Sequence, residues 1–158
     1  MRRIALIGLA LAAVVGSVAA CSQPEPTVSF FSHGTTLSTE RVRQCNNQNT
    51  VCLTADGGLV QTLRVPAGQP LQISVPDQIA NSTWTVAFLY RDATGTVQED
   101  RSAVFPMGTQ YAYTLVLPTP SDQLLHVEVQ QFGGISMAAS DTAPSWDVTQ
   151  VWAMNIST

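Results

Sequence analysis

The side chains able to do chemistry in this sequence are few and far apart. Cys45 and Cys52 close the segment CNNQNTVC, Cys21 follows an apolar run, and the two histidines are His33 and His126. Neither histidine has a ligand-type residue at zinc spacing, so no metal or other cofactor is expected. A serine nucleophile needs a sharp elbow such as Gly-x-Ser-x-Gly, and Gly134-Ile135-Ser136 lacks the closing glycine. The chain has no lysine, which removes the phosphate-cradling loop that depends on one. Glu99 and Asp100 are adjacent, and adjacent residues of a strand point to opposite faces, so they do not form a carboxylate pair on one substrate. Glycosidase-type carboxylates converge only in space, and nothing in the sequence pairs them. The expectation is a chain that is not an enzyme, with His126 structural or exposed.

The most specific chemical signal is Cys21. Arg2 and Arg3 precede residues 4–20, a run of Ala, Leu, Ile, Val and Gly interrupted by Ser17 and free of charge. A positive start, an apolar stretch and small residues before a break mark a secretory signal. The break Val18-Ala19-Ala20-Cys21 resembles the lipobox of bacterial lipoprotein signal peptides. The resemblance implies that Cys21 receives a diacylglyceryl thioether and becomes the first residue after cleavage, with an amide-linked acyl chain as a further addition. Two chains suffice for stable anchoring where one is marginal. An uncleaved membrane helix and a plain secretory signal are the competing readings. Against the first, about seventeen apolar residues are at the short limit for spanning, and Ser22-Gln23-Pro24-Glu25-Pro26 has no basic flank. Ala5 stands where a twin-arginine signal wants a bulky apolar residue, so the general export route is expected. The organisation is thus a signal peptide over 1–20, a lipidated tether over 21–26 and one domain over 27–158. The lipid would hold it to the extracytoplasmic face of the cell membrane.

Without the signal, 138 residues remain, a normal size for one domain with its own core. Their cations are Arg41, Arg43, Arg64, Arg91 and Arg101, against eleven acidic residues, a side-chain balance of −6. A domain of that sign with no basic cluster lacks the footprint for nucleic acid. It equally lacks a polybasic face for anionic lipid headgroups. With Cys21 acylated, Cys45 and Cys52 remain as an even pair in an exported chain, and a disulfide between them is expected. The Asn-rich segment between them supplies turn chemistry. Closing so short a loop is worth about 2.5 kcal/mol on the chain-entropy estimate. A redox pair is the alternative, but no Cys-x-x-Cys spacing supports it.

Hydrophobic residues recur with period two along the remaining chain, with turn signals at the spacing of an all-β protein. TVSFF begins a first strand, and TTLSTERVRQC is expected as one edge-like strand running into the cysteine turn. A turn follows at Asp56-Gly57-Gly58. LVQTLRV places Leu59, Leu63 and Val65 together, and LQISV turns Leu71, Ile73 and Val75 inward. STWTVAFLYRD aligns Trp84, Val86, Phe88 and Tyr90 on one face. DATG is a hairpin turn into the charged, solvent-facing TVQEDRSAVF. QYAYTLVL aligns Tyr111, Tyr113, Leu115 and Leu117, and LLHVEVQQF sets Leu125, Val127 and Val129 opposite His126, Glu128 and Gln130. Residues 118–122 are expected to form a helical turn and GGISMAA a short strand. A last strand carries Val148, Trp152, Met154 and Ile156.

Seven to nine short antiparallel strands predict two sheets face to face, an immunoglobulin-like β-sandwich with Trp84 central, and a small β-barrel as the alternative. The runs PLQISVPDQIANSTWTVAFLYRD, QYAYTLVLP and LLHVEVQQFG resemble an actinobacterial family of exported lipoproteins of unknown function, over nearly all of residues 27–156. The resemblance implies a cell-envelope location and brings no activity or site residues.

Two functions fit. One is a membrane-anchored accessory module that docks on an envelope protein; the other is a binder or carrier of a small or lipidic envelope ligand. The first needs an exposed edge or apolar patch, the second a concave apolar cavity. Phe31, His33 and Trp146 are the candidate contact residues, because they flank the tether or a Ser/Pro loop rather than the core series.

Overall fold

In the computed structural model, described for residues 24–46, 50–55, 60–136 and 145–158, the period-two segments form strands. In chain order these are β1 (Val28–Ser32), β2 (Thr35–Thr39), β3 (Arg43–Cys45), β4 (Cys52–Thr54), β5 (Thr62–Arg64) and β6 (Leu71–Ser74). After the one-turn helix α1 (Asp77–Ala80) come β7 (Thr83–Arg91), β8 (Val97–Arg101), β9 (Ala112–Leu115), β10 (Gln123–Ser136) and β11 (Ser145–Ser157). One sheet has the order β2-β1-β6-β9; the other runs β4-β3-β11-β10-β7-β8, with β5 beside β11. The β5–β11 pairing is parallel and the others are antiparallel.

The strands β1-β6-β9 facing β11-β10-β7-β8 reproduce the immunoglobulin-like order, in which the first, second and fifth strands cover the last pair and the central strand. Both sheets end in edges, so the protein is a sandwich and no closed barrel. Alternation fills the space between them. Val28 and Phe30, Leu71 and Ile73, and Leu115 point inward from one sheet; Trp84, Val86, Phe88, Val127, Val129, Trp152 and Met154 do so from the other. Each large side chain so buried contributes about 1.5–3 kcal/mol. Trp84 lies at the centre, 4.5 Å from the Phe105 ring, and its indole N–H donates to the Gln110 carbonyl at 3.2 Å. Asp92 organises the DATG turn by accepting from the Thr94 and Thr96 amides. Its hydrogen bonds, those from the Thr94 hydroxyl and Gln98 foremost, hold its carboxyl down to about 2.

Several expected alignments shift. TTLSTERVRQC is two strands in different sheets: β2 pairs with β1 and β3 with β11, the chain crossing over at residues 40–42. A bulge between Leu124 and His126 puts Leu124 in the core and leaves Leu125 half-buried. Tyr111 is exposed because β9 begins after it. Residues 118–122 form a turn and no helix, held by Asp122, whose carboxylate accepts from the Thr119 amide and hydroxyl. The segment expected as a separate strand continues β10 as far as Ser136. Val148 is displaced from the core series by register shifts at the Phe132 level. Leu59, the turn at Asp56-Gly57-Gly58 and residues 1–20 lie outside the described residues. The described part of the tether is docked: Trp152 Nε1 donates to the Pro26 carbonyl at 2.9 Å and Arg41 pairs with Glu25 at 2.6 Å.

Candidate functional site

The outer face of the larger sheet gathers its polar groups by strand register. Asn155, His126, Leu89 and Glu99 form one row across β11, β10, β7 and β8; Ala153, Glu128, Ala87 and Arg101 form the next. A 2-residue spacing in β10 puts His126, Glu128 and Gln130 on this face because Val127 and Val129 take the core. The small Ala87 and Ala153 lie buried between longer neighbours. The result is a shallow depression of about 180 Å³, bounded by Ala87, Leu89, Glu99, His126, Glu128 and Gln130.

The centre is an imidazole–carboxylate pair. His126 Nε2 is 3.4 Å from Glu128 Oε1, and His126 Nδ1 is 2.9 Å from Asn155 Oδ1. Gln130 Nε2 donates to the other Glu128 oxygen at 2.7 Å. The hydrogen bond to Glu128 raises the affinity of His126 for its proton above the ordinary 6.5, partial burial opposes this, and Asn155 adds to it. The same bond lowers Glu128, against partial burial, with help from Gln130 and the charge of Arg43. Arg43 Nη2 donates to the Val148 carbonyl at 3.4 Å, while its buried Nε has no hydrogen-bond partner. This arrangement can exchange a proton or bind a partner's polar group; among the described residues no three His, Cys, Asp or Glu side chains gather as a metal site.

The second surface is an edge. Cys45 and Cys52 are directly opposed in β3 and β4 and joined by a disulfide. The bond ties the short outermost strand β4 to β3, and next to it Val51 is 62% exposed and Leu53 71%.

The expected contact residues do not converge. Phe31 is exposed on β1, and His33 occupies the β1–β2 turn with φ +48°. Trp146 is at the opposite end of the sandwich, on the β10–β11 hairpin, with its ring 5.1 Å from that of Phe132. Cys21 lies outside the described residues. Alternation along the sequence puts His126, Glu128 and Gln130 on one face but does not reach the Asn155 and Glu99 that complete the site, since those arrive from other strands.

Among the described residues no helix is long and apolar enough to cross a membrane. No curated protein and no solved structure matches the chain. The chain belongs to the family described as a protein of unknown function (DUF2771), which matches residues 22–157.

Proposed function

We propose that this chain is a lipid-anchored lipoprotein of an actinobacterial cell envelope, held to the membrane through Cys21, and that it works as a non-catalytic docking module for another envelope protein. The anchor reading is supported by the Val18-Ala19-Ala20-Cys21 break after an uncharged apolar run. The docking reading is carried by the β4 edge. Of the five edge strands, β5 turns Leu63 into the core and carries Arg64, and β8 exposes Val97 but adds Glu99, Asp100 and Arg101, the kind of charge that discourages strand addition. The β2 and β9 edges keep Leu37, Tyr113 and Leu115 against the core. β4 presents Leu53 to solvent with no charge in Cys52–Thr54, and the disulfide fixes it in place for a partner strand. A carrier is less well supported, because Trp84, Trp152, Phe30, Ile73 and Met154 occupy the space between the sheets where an apolar ligand would go.

The test is crosslinking of the full-length protein in living cells, with mass spectrometry of what is captured, beside Leu53→Glu. An envelope protein captured by the wild type and lost from the folded variant is the expected result. Capture of lipid alone, or capture unchanged by the charge at Leu53, overturns it.

A further inference from the structure

One end of the sandwich is marked by where the chain enters. β1 leaves from the end that carries α1, since Ser29 pairs with Ser74 just before that helix. Pro24, Glu25 and Pro26 line a depression there with Arg41, Gln78 of α1, Gln131 and Gln150. Cys21 is three residue steps from Pro24, a reach of about 10 Å at full extension. β7, with nine residues, is about 30 Å long. A lipid on Cys21 therefore brings the α1 end to the bilayer and leaves the other end away from it.

The same end presents Met107, Tyr111 and Trp146 from three separate segments. Met107 is 67% exposed and precedes Gly108, whose amide donates to the Ala80 carbonyl of α1 at 2.7 Å. Tyr111 is 46% exposed, and its carbonyl accepts from the Val75 amide just before α1. The β10–β11 hairpin runs past the start of β7, where Phe132 pairs with Thr83, and carries Trp146, 39% exposed, on the projecting part. Trp and Tyr have an apolar body and a polar tip, which favours the membrane–water boundary. Headgroup charge is not the attraction, since Arg41 is engaged with Glu25 and Asp77 adds a carboxylate.

We infer that the α1 end is a membrane-facing surface, with Trp146, Tyr111 and Met107 seated in the interfacial layer of the leaflet that holds the lipid. This rests on the anchor reading and goes beyond it: the domain is oriented on the bilayer by its own side chains and does not swing freely on a tether. The contact leaves the β7–β8 turn and Val116 pointing away from the membrane.

The test uses the full chain purified from membranes, its intact mass recorded, reconstituted into phosphatidylcholine vesicles with ordinary or brominated acyl chains. Trp84 and Trp152 are completely buried, so bromine reaches Trp146 alone among the tryptophans. The expected result is a loss of tryptophan emission in brominated vesicles that W146F abolishes. A second reporter made by V116W in the W146F background keeps its emission, because Val116 lies at the far end. An acylated protein whose wild-type emission is unchanged by bromine, or whose far-end reporter is quenched instead, overturns the inference while leaving the anchor standing. A mass without the diacylglyceryl group removes the anchor and the inference together.

Discussion

His126 and Glu128 stabilise each other only while both are charged, and that gives the pair a pH signature. His126, raised by its bond to Glu128, contributes stability that is complete below 6.5 and is lost as pH rises through its elevated folded value. Glu128, lowered by the same bond, contributes above 4.5 and loses this as pH falls through its depressed folded value. The window in which the pair helps most therefore runs from about 4.5 to 6.5. Glu128→Gln is expected to lower the His126 midpoint in a proton NMR titration and to flatten the fall in stability above that window. An unchanged midpoint would mean that the contact is absent in solution. The pair is half legible in the sequence: alternation puts His126 and Glu128 on the solvent face. Asn155, twenty-nine residues further on, reaches His126 only through the β10–β11 register, which one strand's pattern does not specify.

At the scale of elements, turns hold most of the non-interchangeable residues. Gly34 has φ +80° with open space around it, whereas Gly68 has φ +73° and a Cβ there would stand 2.7 Å from the Pro120 carbonyl oxygen. Gly34→Ala is expected to cost about 1 kcal/mol from backbone strain alone. Gly68→Ala adds a backbone collision and is expected to cost about 2 kcal/mol or more. Equal losses in chemical denaturation would refute the close approach. The strands with strict alternation, such as Leu71–Ser74 and Thr83–Arg91, are readable because burial on one face imposes period two. The breaks are not readable. The bulge beside Leu125 and the shifts at Phe132 insert residues without any change in composition, and the crossover at 40–42 looks like continued alternation. The crossover follows from which sheet the chain must rejoin, and the bulge and shifts from how β10 pairs with β7 and β11.

For the whole molecule, the sandwich is legible because nearly every segment carries the same period and the turns come close together. The surfaces are less so. Phe31, His33 and Trp146 share a position outside the core series, yet the fold sends the first two and the third to opposite ends, and only a strand direction reveals that. The resulting arrangement separates three regions by what they do. In the arrangement we propose, the α1 end is the one turned to the membrane, the filled core holds the shape, and the disulfide-pinned β4 edge is the one offered to a partner. The disulfide end of the β3–β4 pair lies on the side of the α1 end, since Cys45 continues past the Gln44–Gln150 level toward the projecting hairpin. A partner bound on β4 would therefore itself sit close to the membrane. Both the edge and the oriented end depend on lipid at Cys21, so the most direct measurement is fractionation and intact mass of the full-length protein expressed in an actinobacterial host beside Cys21→Ala. The expected result is a membrane-bound chain beginning at Cys21 with the mass of its acyl groups, and a variant that loses both the membrane and the added mass. A wild-type chain found soluble, without added mass, would contradict the anchor and with it the placement of the α1 end and the β4 edge beside a membrane.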